Sequence, residues 1–556
     1  MKKNFLYWVG ALCFSGLVGC GGGGEGGAVP TTPTTPTTPT TPTTPVGNAL
    51  LRFEPSILQS NIFAGEKQSQ EIRIYTREEI LGVVNVQAVS EQAVIEEVSF
   101  SQRDTKEFSV TVDFSNELKP GSYTGKIAIR LCKDDPAICA QPYSDDVSYL
   151  PYSLEVAPSE NKKPLSNLVS DALWQEQQGS AGRTGYFNAS VDEKKFSRRW
   201  AFDFPADEIQ RGEIRTANGR VYALSVVVAP YGSLLYPVLR AIRESDGTVE
   251  WVKRLDGYVT GAYFIGNDIY LPSDYGAKKR IFKLDSVTGA SVYEDISSEA
   301  SSIDSVLPYD VDTYIYSMPW GGRYSTINDS IDFNSKGRLL WRLTGYGVSY
   351  PGSNGPSLFL ANDTIYAPAR RIEESSPLTS HNGVLGVDVK TGRLKFFTSD
   401  LGREVNRKLK IAHGSVCGGS WVEMVTDSNH GSVFCIDSDS GKINWQSKNN
   451  AVSFAVSPLS VVSTDGIDVT WQSFSNGDVQ GAWKNVGVHK IMDRSADVLM
   501  VGDLVFFSSL KGVYALRLGS ADAAWAYRVS SGGLALSQAG VLYVRQERRL
   551  VAFNLH

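Results

Sequence analysis

The stretch Val433-Phe-Cys-Ile-Asp-Ser-Asp-Ser-Gly-Lys-Ile-Asn-Trp445 reads as a short apolar strand, a polar turn holding Gly441, and a second strand that closes on an aromatic ring. The same unit returns as Leu239-Arg-Ala-Ile-Arg-Glu-Ser-Asp-Gly-Thr-Val-Glu-Trp251, Ile281-Phe-Lys-Leu-Asp-Ser-Val-Thr-Gly-Ala-Ser-Val-Tyr293 and Val384-Leu-Gly-Val-Asp-Val-Lys-Thr-Gly-Arg-Leu-Lys-Phe396. Each time the aromatic lies four positions after the glycine. Shorter or weaker copies end at Trp341, Trp483 and Trp525. One unit of this size cannot bury its own apolar face and must stack on the next, so the period of the repeat decides the fold. Between Trp251 and Trp525 the aromatic returns every 38 to 55 residues. That is room for four short antiparallel strands and their turns, the content of one propeller blade.

Upstream of the units, Gly219-Arg-Val-Tyr-Ala, Asn267-Asp-Ile-Tyr-Leu, Asn362-Asp-Thr-Ile-Tyr, Gly502-Asp-Leu-Val-Phe and Gly540-Val-Leu-Tyr-Val pass from turn residues into β-branched and aromatic ones. This pattern predicts the second strand of each blade. Only Arg549 to His556 follow the last of them, so the final blade lacks its outer strand. Ser197-Arg-Arg-Trp-Ala-Phe-Asp-Phe204, whose Trp200 has no copy before it, can supply that strand. Closure of this kind predicts eight blades, with aromatics at 200, 251, 293, 341, 396, 445, 483 and 525, and removes an open sheet edge.

In idealised form the unit is Ala-hydrophobic-Asp-x-x-(Thr/Ser)-Gly-x-x-x-Trp, which resembles the pyrroloquinoline-quinone (PQQ)-like propeller repeat. Trp174-Gln-Glu-Gln-Gln-Gly-Ser-Ala-Gly-Arg-Thr-Gly-Tyr186 is similar to the lead-in of that superfamily. Over residues 170–556 the resemblance implies an all-β, eight-bladed PQQ-like propeller. The superfamily holds both quinone enzymes and non-catalytic scaffolds, and fold alone does not choose between them. Its dehydrogenases typically set a disulfide of adjacent cysteines against the cofactor and hold calcium with Glu, Asn and Asp. This chain has no adjacent cysteines, and that ligand set falls on no matching motif. We therefore expect no catalytic, cofactor-binding or metal residues.

The chain begins with Met1-Lys-Lys-Asn and an apolar run from Phe5 to Val18, an export signal by length and charge. It ends in Leu17-Val-Gly-Cys20, which resembles a bacterial lipobox and implies lipidation of Cys20 after removal of residues 1–19. Two or three acyl chains anchor stably where one is marginal. Gly21 and Gly22, with no Asp after the cysteine, favour the outer membrane by analogy with lipoprotein sorting, the domains facing the periplasm or the cell surface. Residues 20–47 continue as a Gly-rich tract and a Thr-Thr-Pro array, a stalk of polyproline II type. Period-two runs such as Glu71-Ile-Arg-Ile-Tyr, Val83-Val-Asn-Val-Gln, Phe108-Ser-Val-Thr-Val-Asp-Phe and Lys126-Ile-Ala-Ile-Arg-Leu predict a β-sandwich over 48–158. Pro120-Gly-Ser-Tyr-Thr-Gly and Leu131-Cys to Cys139 resemble immunoglobulin-like modules of envelope proteins. A linker over 159–169 leads into the propeller, 170–556.

A formal charge of −6, more negative once Lys2 and Lys3 leave, argues against nucleic acid as partner. Of six cysteines, Cys13 departs with the signal and Cys20 is lipidated, leaving four. In an exported chain these read as disulfides, and proximity favours Cys132–Cys139 and Cys417–Cys435 over the other connectivities. The five histidines stand at no ligand spacing. Turn aspartates such as Asp285, Asp388 and Asp437 are expected to bond their own turns.

Three blades carry insertions between their second and third strands: Val226 to Pro237, Met318 to Tyr324 and Pro368 to Pro377. Equivalent propeller loops share a face, so Tyr231, Tyr236, Trp320, Tyr324, Arg370 and Arg371 form a candidate partner-binding set, of the residue types that dominate hot spots. These features together lead us to expect a membrane-anchored envelope lipoprotein whose propeller docks protein partners without catalysis. It is similar in anchor and repeat to the propeller lipoproteins of the outer-membrane β-barrel assembly machinery, and departs from them in its long stalk and extra sandwich. A glycan- or small-ligand-binding propeller and a divergent PQQ-dependent dehydrogenase are the alternatives.

Overall fold

The computed structural model describes residues 51–556 apart from 169–184, 298–304, 319–329, 349–357, 420–431, 485–496 and breaks of four residues or fewer. The expected signal, Cys20 and the stalk lie outside the described residues. Among the described residues, no helix is long and apolar enough to cross a membrane.

The first eight strands are β1 (Leu51–Glu54), β2 (Leu58–Phe63), β3 (Gln68–Thr76), β4 (Asn85–Ser90), β5 (Ile95–Gln102), β6 (Glu107–Phe114), β7 (Gly121–Cys132) and β8 (Ser148–Ala157). They form two four-stranded sheets, β1-β3-β6-β5 and β2-β8-β7-β4. Alternation decides which faces meet: Ile72 and Ile74, Phe108 to Phe114 at every second residue, Ile127, Ile129 and Leu131, and Leu150, Leu154 and Val156 are all buried in one cluster. Each such side chain contributes about 1.5 to 3 kcal/mol by leaving water. Within this mainly antiparallel pair of sheets, β2 lies parallel to β8.

After residue 197 the chain makes eight further sheets of at least four strands among the described residues. In the first complete one, Glu208–Gln210 and Arg215–Ala217 share the innermost position, followed outward by Arg220–Val228, Leu234–Arg243 and Val249–Arg254. The last sheet takes Gly533–Leu536, Val541–Arg545 and Arg549–Asn554 from the C-terminus and adds Ser197–Asp203 as its outermost strand. The two ends of this region thus meet in one sheet, antiparallel from Ser197↔Asn554 to Asp203↔Arg549. Tyr186–Phe187 adds a short parallel strand beside Val498–Val501, on the inner edge of another sheet.

Successive sheets interlock through the residues of the repeat. At five junctions the aromatic of one unit lies on the outermost strand and covers the turn glycine of the next sheet, whereas Gly519 has nothing within 4 Å of its Cβ position. A Cβ on Gly247 would stand 2.9 Å from the Trp200 ring, on Gly289 2.7 Å from Trp251, on Gly392 2.6 Å from Trp341, on Gly441 2.4 Å from Phe396, and on Gly477 2.5 Å from Trp445. All five glycines have φ between +69° and +79°. The indoles also donate forward: Trp200 Nε1 to the Glu244 carbonyl at 2.9 Å, Trp251 to Ser286 at 3.1 Å, Trp341 to Val389 at 2.8 Å and Trp445 to Phe474 at 2.8 Å. A buried Trp N–H needs such a partner. Within the turns, Asp285, Asp388 and Asp437 each accept from the backbone N–H and the hydroxyl three residues on. Those bonds hold the three carboxyls below their ordinary range.

The sandwich is joined to the closing sheet by more than chain connectivity. Phe63 at the end of β2 packs against Tyr527 and Phe553, ring centroids 5.9 and 5.5 Å away, within the core of the closing sheet. Glu66, 7% exposed, pairs with Arg198, 5% exposed, and with Arg549 at 3.1 Å. Tyr527 donates to the same carboxylate at 3.4 Å, and burial raises its phenol well above the ordinary value. The stretch read as a linker is fastened to the same seam: Asn161 N–H donates to the Arg198 carbonyl, Arg199 Nη2 to the Lys163 carbonyl, and Leu168 N–H to the Gln538 carbonyl.

Candidate functional site

In these antiparallel sheets the turns between first and second, and third and fourth, strands emerge on one face. Hairpins between second and third strands emerge on the other. Among the described residues, two of those hairpins have the longest ladders. Strands of 9 and 10 residues, Arg220–Val228 and Leu234–Arg243, make one. Strands of 10 and 13, Thr364–Glu373 and Ser376–Asp388, make the other. The corresponding strands Ser415–Gly419 and Val433–Asp437 have 5 each. At roughly 3.3 Å per residue, the paired ladders of the first two extend about 15 Å farther than the ladder described for the third.

This corrects the reading of Val226 to Pro237 and Pro368 to Pro377 as loops, because most of their residues continue the ladders. Tyr236 pairs with Val227 inside the sheet, half-buried, with the Arg254 guanidinium 3.6 Å above its ring. Arg370 and Arg371 lie on a strand bonded on both sides, facing Gly347 and Tyr346 on one and Asn382 and His381 on the other. Arg371 is exposed. Tyr231, Trp320 and Tyr324 lie outside the described residues. Sequence reasoning missed Leu234 and Leu235, exposed at the start of the returning strand. Their signal was present: two leucines at the tip of an otherwise alternating run.

The opposite face has a cavity of about 180 Å³ at the closure seam, lined by Thr216, Asn218, Glu244, Ser537 and Gln538 among others, with Leu165 and Asn167 from the preceding segment. Glu244 is buried and its Oε1 has no hydrogen-bond partner. Burial pushes its carboxyl above the ordinary 4.5, opposed by the nearby hydroxyls of Ser537 and Tyr543 and the charge of Arg199. A raised carboxyl supports folding fully below the unfolded value and loses that support as pH climbs through the folded one. Glu244→Gln should therefore gain stability relative to wild type as pH rises from 5 to 8, in thermal melts at each pH; an unchanged gap would refute the assignment.

Disulfides join Cys132 to Cys139 and Cys417 to Cys435, the latter across directly paired residues of neighbouring strands. Among the described residues, no group of three or more His, Cys, Asp or Glu side chains converges.

Stacked sheets of four or five strands, a shared turn closing on a left-handed glycine, and rings that lock one sheet to the next at five junctions define the class, a β-propeller of PQQ-like repeats. The family model described as "Outer membrane protein assembly factor BamB" matches residues 189–447 and again 334–556, and the chain belongs to that family. No curated protein matches the sequence. Among solved structures, the crystal structure of Saccharomyces cerevisiae Sqt1 aligns with 63% of this chain and 97% of its own at 11% identity and TM-score 0.45. The structure of the Dos1 propeller aligns with 66% of this chain and 96% of its own, also at 11% identity and TM-score 0.45.

Proposed function

We propose that the chain is a non-catalytic, lipid-anchored envelope protein. In this reading residues 48–158 are an immunoglobulin-like spacer, and an eight-bladed propeller docks a protein partner involved in outer-membrane protein assembly. The observation that carries the reading is the pair of long hairpins, 220–243 and 364–388, on one face of a chain whose repeats match the assembly-factor family. The paired ladders hold the strand residues Leu234, Leu235 and Arg371 in place, so little conformational entropy is lost on docking through them. Exposed Leu234, Leu235 and Arg371 supply apolar area and a guanidinium there. The anchor rests on Cys20 and the apolar run before it.

Affinity capture from solubilised outer membranes tests the reading. A partner should be recovered with the wild-type chain and lost with Leu234→Ser/Leu235→Ser/Arg371→Glu, while Cys20→Ser releases the protein from the membrane fraction. Equal recovery with both chains would remove the docking face from consideration. A bound-quinone absorbance after addition of PQQ and calcium would replace the scaffold by an enzyme.

A further inference from the structure

The sandwich carries a second surface that the propeller does not use. Three of the four most exposed large apolar side chains among the described residues stand on it: Leu81 at 73%, Ile138 at 72% and Val83 at 71%. Leu81 and Val83 lie in the crossing from β3 to β4, and Ile138 in the loop closed by Cys132–Cys139. The two loops are tied together. Asn85 Nδ2 donates to the Asp134 carbonyl and Gln87 Nε2 to the Pro136 carbonyl, both at 2.8 Å. The Tyr143 hydroxyl donates to the carbonyls of Val83 at 2.8 Å and Leu81 at 3.4 Å. A mobile loop tip can turn its aliphatic groups away from water; this framework holds them out.

Register places this tip away from the propeller. β7 starts with Gly121 beside Val156, next to the Phe63 and Ala157 pair at the seam, and runs for 12 residues to Cys132. At about 3.3 Å per residue the tip stands some 35 to 40 Å from that junction. Around the aliphatic trio, Glu78, Asp135, Asp145 and Asp146 are exposed, Glu79 pairs with Lys106, and Arg77, Lys106 and Lys133 are exposed cations. The rim is net acidic.

We propose that this disulfide-framed tip is a protein-docking site whose partner presents aliphatic side chains flanked by lysine or arginine. An aliphatic centre desolvated inside a polar rim is the usual anatomy of an interface, and complementary charge fixes its register. A bilayer is disfavoured as occupant: interfacial segments use aromatic and basic residues, and this rim has the opposite sign.

The test is a random peptide library selected on the full chain. Selected peptides should share two or three Leu, Ile or Val beside Lys or Arg. Leu81→Ser/Val83→Ser/Ile138→Ser should weaken their binding at least about tenfold. Asp145→Lys/Asp146→Lys should weaken it severalfold, and so should raising NaCl from about 50 to about 500 mM. These positions are exposed, so thermal midpoints should not move, which separates lost docking from lost folding. A selection with no sequence that depends on the tip, or with acidic sequences, overturns the proposal. So does binding to phosphatidylethanolamine–phosphatidylglycerol vesicles, or self-association in sedimentation, that the triple serine variant abolishes.

Discussion

Alanine at Gly477 should destabilise the chain by about 1 to 3 kcal/mol more than alanine at Gly414, although both glycines have φ near +75°. Either substitution puts a Cβ on left-handed backbone, at a cost of about 1 to 2 kcal/mol. At Gly414 nothing lies within 4 Å of the new atom, and the cost ends there. At Gly477 it would stand 2.5 Å from Trp445 of the preceding sheet, so the indole must shift and its 2.8 Å bond to the Phe474 carbonyl must stretch. Denaturant midpoints of the two variants measure the difference. Equal losses would mean that the turn alone, and not the lock between sheets, requires glycine.

Glu66→Ala should cost about 3 to 5 kcal/mol, the range for removing one partner of a buried ion pair, because Arg198 then stays buried without its carboxylate. Phe63→Ala should cost a similar amount, about 3 to 5 kcal/mol, by leaving a hole between Tyr527 and Phe553. Both residues belong to the sandwich, yet the loss should appear in the unfolding of the propeller, whose closing sheet they brace. Intrinsic tryptophan fluorescence reads that transition, since the described tryptophans lie on propeller strands. Limited proteolysis should also find residues 159–168 newly open. A propeller transition untouched by Glu66→Ala would mean that the sandwich moves independently.

The repeat was legible because it obeys local rules. An apolar strand, a polar turn and an aromatic at fixed spacing recur often enough to give the period, and Trp200 without a preceding copy pointed to the closing strand. The docking set was read less well. Length counting found the hairpins at 226–237 and 368–377 but took them for loops, because Arg370 and Arg371 break the apolar alternation of a strand while still bonding to both neighbours. The exposed Val83 was read as the start of a strand, since period-two patterning does not reveal where a ladder begins. Glu66 gave no sign at all: a single acid before a turn looks solvated until two arginines from residues 198 and 549 are folded onto it.

What the sequence determined by itself is the kind of element and its repetition, because alternation, turn chemistry and glycine requirements act within a dozen residues. What only the tertiary structure decided is which elements meet: at five junctions a ring covers the glycine of the following unit and not its own, β2 runs parallel to β8, and the sandwich is bolted to the closing seam. Those choices depend on desolvation and packing between groups up to several hundred positions apart. Such pairings leave no periodic trace in one chain, since the free energy that selects them exists only once the surfaces are brought together.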